Sequence, residues 1–77
     1  MADKLTFQYD REGDVLSISK RSPYPEQLTE ELGDDVIARV HPVTGEIENV
    51  EVLFFSTRLI RNPLFELPVT ADLRRAV

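Results

Sequence analysis

Tyr9-Asp10-Arg11-Glu12-Gly13-Asp14-Val15-Leu16-Ser17-Ile18 reads as the end of one strand, a reversal, and the start of another. Upstream, Leu5, Phe7 and Tyr9 alternate with Thr6 and Gln8, the period of two that marks a half-buried strand. Asp10 to Asp14 supplies the turn, because short acidic side chains bond nearby backbone amides and Gly13 is expected to take the positive φ such a loop needs. Val15 to Ser19 resumes β-forming residues, with Leu16 and Ile18 on one face. An antiparallel hairpin follows.

Working outward, Lys20 to Glu26 contains Pro23 and Pro25 and is expected to be a loop, since proline cannot donate to a central ladder. Glu26 to Leu32 fits either an edge strand or a single helical turn. Leu28 and Leu32 have helical spacing, but the segment is short and Thr29 is a weak helix former, so the extended reading is preferred. Gly33-Asp34-Asp35 marks a turn, and Val36-Ile37-Ala38-Arg39-Val40 is a strand. Pro42 to Glu46 forms a hairpin loop with Gly45 as its left-handed residue, and Ile47 to Leu53 is the next strand.

The period changes at Phe54. Phe55 and Leu59 lie four apart and Ile60 widens the stripe, which predicts a short helix over about Ser56 to Arg61 that Pro63 ends. Asn62-Pro63 equally suits the cap of a further helical turn through Phe65. Thr70 is the expected N-cap of a last helix, Ala71 to Ala76, with Asp72 in its first turn and Arg74 and Arg75 near its end.

The expected fold is α+β: an antiparallel β-sheet of four strands, or five if Glu26–Leu32 is extended, in hairpin or meander order, with short C-terminal helical segments. One domain spans residues 1–77, with the sheet over 5–53 and a helical or extended tail over 54–77. A sheet needs cover on one face, and the tail holds the apolar residues to provide it, on its own sheet or on a second subunit's. Phe54, Phe55, Leu59, Ile60, Leu64 and Phe65 are therefore the candidate interface residues.

Chain length sharpens that expectation. With 77 residues, no cysteine and one histidine, the protein has neither disulfides nor thiolate-bound metal to staple it. An apolar core of this size rarely supplies more than ~3–5 kcal/mol, which favours self-association as the staple. The net charge of −5 opposes binding to phosphate backbones. Twelve of the fourteen acidic residues precede Phe54, while Arg58, Arg61, Arg74 and Arg75 follow it. The opening Met1-Ala2-Asp3-Lys4 lacks the order of a signal peptide, and no apolar run reaches the ~20 residues of a membrane span, so a cytoplasmic protein is expected.

Candidate chemistry is sparse. Asp10, Glu12 and Asp14 offer oxygen ligands on a loop but lack the further ligands of a calcium site, and turn chemistry explains them, as it explains Asp34 and Asp35. His41 sits between Val40 and Pro42 with no serine or cysteine placed by motif to use it. Phe54-Phe55 with Arg58 and Arg61 suits stacking on single-stranded nucleic acid, which the acidic majority of the chain opposes. No phosphate loop, dinucleotide fingerprint, zinc spacing or nucleophile elbow is present. The expected catalytic, cofactor and metal residues are therefore none, and whether the chain is an enzyme stays open with the balance toward no.

Tyr9-Asp10-Arg11-Glu12-Gly13-Asp14-Val15-Leu16-Ser17-Ile18, Gly33-Asp34-Asp35-Val36-Ile37-Ala38-Arg39-Val40 and Gly45-Glu46-Ile47-Glu48-Asn49-Val50-Glu51-Val52-Leu53 together resemble a small bacterial family known as domain of unknown function 2283. The resemblance covers roughly Leu5 to Ser56, and Asn49 stands where the family usually carries glycine. It implies a fold and no mechanism. By analogy with relatives lying beside small toxin-like genes, it implies an antitoxin-type role. The functional expectation is a noncatalytic protein-interaction module, a homo-oligomer (a homodimer for preference) or the partner of another small protein. The alternative is a ligand-binding protein or enzyme with a site between sheet and tail, where Asp34, His41 or Arg39 would converge.

Overall fold

The computed structural model describes residues 4–76; Met1 to Asp3, where the leader reading begins, lie outside the described residues. Five strands and one helix follow in chain order: β1 (Thr6–Asp10), β2 (Val15–Ser19), β3 (Leu28–Gly33), β4 (Val36–Val40), β5 (Ile47–Leu53) and α1 (Phe55–Arg61). The segment that fits strand or helix is thus an edge strand, β3.

All five strands join one antiparallel sheet in the order β1-β2-β5-β4-β3. Three hairpins are present, but a simple meander is not. β2 pairs with β5 rather than β3, so the chain after Ser19 crosses to the far edge before returning through β4 to the centre. The last strand is the middle one. Its register sets Val52 between Leu16 and Val36, and Val50 between Ile18 and Ala38. Because side chains alternate, those residues share one face with Phe7 and Tyr9 of β1.

That face is the core. Val36, Val50 and Val52 form its buried cluster, and Leu16, Ile18, Leu32, Ile47, Phe55, Phe65 and Leu67 pack against it. Phe55 opens α1, while Phe65 and Leu67 lie on the extended chain beyond it, so the tail covers its own sheet. The opposite face is polar at its centre, where Arg39 Nη2 lies 2.9 Å from Glu51 Oε1.

α1 stops as the sequence predicts. Arg58 and Arg61 occupy its last turn, Asn62 is extended with its N–H donating to Arg58 O at 2.9 Å, and Pro63 follows. No helix follows through Phe65 or over Ala71–Ala76, where the chain is irregular. The second helix was expected from a cap and a charge order alone. Six residues are too few to repay nucleation without packing. Asp72 and Arg74 also form an ion pair at 2.7 Å, a spacing of two that an α-helix would set on different faces.

The turns differ from expectation in which residue turns left-handed. Gly45 does (φ 74), but in the first hairpin Asp14 (φ 55), not Gly13, has positive φ. A Cβ on Gly13 would stand 3.0 Å from Asp10 Oδ2, so this glycine makes room for a carboxylate folded over the turn. Asp10 Oδ1 there accepts from Glu12 N at 3.1 Å. Asp35 (φ 58) and Phe54 (φ 52) are left-handed too.

Candidate functional site

The left-handed residues Asp14, Asp35 and Phe54 meet at one end of the sheet. Asp14 precedes β2 and Asp35 precedes β4, the two strands that flank β5, and Phe54 follows β5 directly. Aspartate tolerates this conformation, and there it aims each backbone carbonyl at the central strand's exit. Asp14 O accepts from Phe55 N at 3.0 Å and Asp35 O from Leu53 N at 2.8 Å. The Asp14 carboxylate then caps α1 from 42 residues away, accepting from Ser56 N at 2.9 Å and from Ser56 Oγ at 2.8 Å. Tyr9 Oη donates to Asp14 Oδ1 at 2.6 Å. That phenol holds the Asp14 carboxyl below the usual carboxylate range, with the Ser56 amide adding to it, and the same bond raises Tyr9.

Beside this junction lies an open cleft of about 800 Å³. Its lining includes Glu31, Asp34 and Asp35 from the β3–β4 hairpin and Arg58, Arg61 and Asn62 from α1 and its cap. The Arg58 guanidinium sits 5.0 Å over the Phe65 ring, a cation–π contact. The cleft holds opposed charges but no nucleophile paired to a base.

The other end of the sheet holds the second polar cluster, which is buried. β4 and β5 slip register between Arg39–Asn49 and Val40–Ile47, leaving Glu48 as the extra residue of a bulge. Glu48 is 2% exposed and Asn49 3%. Both are met by the loop that crosses from β2 to β3. Tyr24 Oη donates to Glu48 Oε1 at 2.5 Å, and Gln27 Nε2 donates to Glu48 Oε1 at 3.0 Å and to Asn49 Oδ1 at 2.8 Å. Asn49 Nδ2 donates to Arg21 O at 2.7 Å. Arg21 Nε lies 3.2 Å from Glu48 Oε2, near enough for an ion pair though not aligned for a hydrogen bond. The Tyr24 and Gln27 bonds hold the Glu48 carboxyl below its usual range despite burial, and Tyr24 is raised in turn. Lys20 pairs with Glu46 beside them and lowers that carboxyl. No sequence pattern pointed to the burial of Glu48 or Asn49; two polar residues interrupting the apolar run of a strand, after a loop rich in donors, were the available signal.

The residues expected to converge do not. Asp34 and His41 lie beyond opposite ends of β4, with roughly 16 Å of strand between them. Arg39 is drawn to Glu51 on the polar face. His41 Nδ1 accepts from Val43 N at 3.1 Å and Thr44 N at 3.2 Å, so the imidazole braces its own hairpin loop. Among the described residues, no group of three or more His, Asp and Glu side chains could hold a metal ion. The named tail residues divide: Phe55 and Phe65 pack on the core, whereas Phe54 is 56% exposed, Leu59 41%, Ile60 84% and Leu64 65%. Among the described residues, no helix is long and apolar enough to cross a membrane. No protein-family model matches the chain, and comparison with curated proteins and with solved structures gives no match.

Proposed function

We propose that this chain is a noncatalytic protein-interaction module that works by presenting apolar surface to another protein chain. The observation that carries the reading is the exposure of Ile60 and Leu64, with Phe54 and Leu59 beside them, on a domain too small to spare apolar area. The carboxylates and phenols with altered proton affinity support it from the other side. Each is engaged in holding a helix, a loop or a strand end. The resemblance to domain of unknown function 2283 extends the proposal to a bacterial cytoplasmic protein acting as a homodimer or as an antitoxin-like partner. In the second form, the acidic front would engage a small basic protein with an affinity that falls as salt rises.

Sedimentation equilibrium over about 1–100 µM, joined to co-purification with neighbouring gene products, tests the proposal. A self-associating species, or a stoichiometric complex weakened by Ile60→Glu, is the expected result. A solitary monomer across that range with no stoichiometric partner overturns it.

A further inference from the structure

We propose that the free edge of β1 is the docking site for a second copy of this chain, whose own β1 pairs antiparallel to it so that two five-stranded sheets join as one. This inference rests on the interaction-module reading and adds to it a second copy of the chain as partner, at a surface separate from Ile60 and Leu64. β1 is hydrogen-bonded to β2 on one side only, which leaves a row of backbone N–H and C=O groups along the other.

The two edges of the sheet are built differently. Sheets that must stay unpaired blunt their edges with charge, proline or bulges. β3 does so: Glu30 and Glu31 stand in its middle, and its pairing is bulged between Glu31 and Gly33. β1 does not. Its sequence is Thr6-Phe7-Gln8-Tyr9-Asp10, its register with β2 is unbroken, and its only charge is at its last residue. All five residues are exposed, with Phe7 at 62% and Tyr9 at 42% on the same face.

The occupant follows from the order of side chains. A two-fold axis that continues the sheet must bring residues of one face opposite each other. Centred on Gln8, it uses the whole strand: Thr6 meets the second copy's Asp10, Phe7 meets its Tyr9, and Gln8 meets its Gln8. An aromatic pair and a hydroxyl–carboxylate pair are favourable cross-strand neighbours, and no like charges meet. Pairing β3 with itself fails the same test, because a two-fold centred on Glu30 or Glu31 sets that carboxylate against its own copy.

The test compares three variants of the intact chain by sedimentation equilibrium, with circular dichroism to show that each is folded. Gln8→Lys places like charges directly opposite and is expected to weaken self-association at least about tenfold. Val43→Lys, the same charge change on the loop between β4 and β5, is expected to leave it unchanged. Nitroxide labels on Gln8→Cys, the sole thiol of that variant, are expected within roughly 15 Å of each other, since directly opposed Cα atoms lie about 5 Å apart. A folded dimer indifferent to Gln8→Lys overturns this pairing and leaves the interaction-module reading standing. Labels farther apart than about 25 Å in a folded dimer also overturn it, by the same opposed geometry. A protein monomeric at about 100 µM, against the millimolar-to-nanomolar span of ordinary association, overturns it whatever other partner the chain binds.

Discussion

The two ends of the sheet use the same chemical device in opposite surroundings. At one end Tyr9 donates to Asp14 at 2.6 Å in the open; at the other Tyr24 donates to Glu48 at 2.5 Å over a residue 2% exposed. Each phenol depresses its carboxylate and is itself raised. The open pair fastens α1 to the first hairpin. The buried pair fastens the crossing loop to the central strand and, through it, the far edge of the sheet. The difference teaches that a hydrogen bond's weight depends on what is left behind when it breaks. Water can replace Tyr9 at Asp14, whereas nothing replaces Tyr24 at Glu48 without opening the loop.

Acid should strike both pairs together and gives the largest effect. Because both carboxyls titrate below their usual range, their stabilisation is complete above about pH 4, the unfolded range, and drains away as pH falls through the folded values. A melting temperature flat between about pH 5 and 8 and falling steeply below about 4 is expected. An acid limb unchanged in both Asp14→Asn and Glu48→Gln would show that other groups drive it. At the alkaline end the raised phenols hold their share of stability below about pH 10, losing it as pH climbs through their folded values.

Glu48→Ala comes next. It orphans donors from Tyr24 and Gln27 in a dry setting and should lower the melting temperature by about 10–15 °C at pH 7. Asp14→Ala removes the α1 cap and strains a left-handed position, for a fall of about 5–10 °C. Its circular dichroism should show lost helix with the sheet intact. If it costs more than Glu48→Ala, the ranking of the two ends is inverted. The matched pair Tyr24→Phe and Tyr9→Phe isolates the phenols, and about 5 °C against about 2 °C is expected from thermal melts.

Phe54→Gly is a small change of the opposite sign. A bulky side chain at φ 52 is strained, and glycine relieves it, so a gain of about 0.5–1 kcal/mol should appear in urea titration. A loss instead would mean that Phe54 contributes more by packing than its conformation costs.

Much of this was legible from neighbouring residues. Alternation in Leu5 to Tyr9, the turn residues before β2 and β4, Gly45's left-handed bend and the Pro63 stop all act over a few positions, where covalent geometry limits the choices. Gly13 and Asp14 show how far that reaches. The turn could be read, but which residue bends left-handed depended on Phe55 N awaiting the Asp14 carbonyl from across the sheet. The helix expected over Ala71–Ala76 failed for the complementary reason: a local signal with no surface to pack on.

What the chain of residues determined by itself is the inventory of hairpins and the change from sheet to helix at Phe54. Tertiary structure alone decided that the last strand takes the centre, that Glu48 and Asn49 are buried under the crossing loop, and that Asp14 caps a helix 42 residues away. Local propensity is written in adjacent side chains. Which strands share an edge is settled only when faces match across a closed loop, and no run of adjacent residues carries that information.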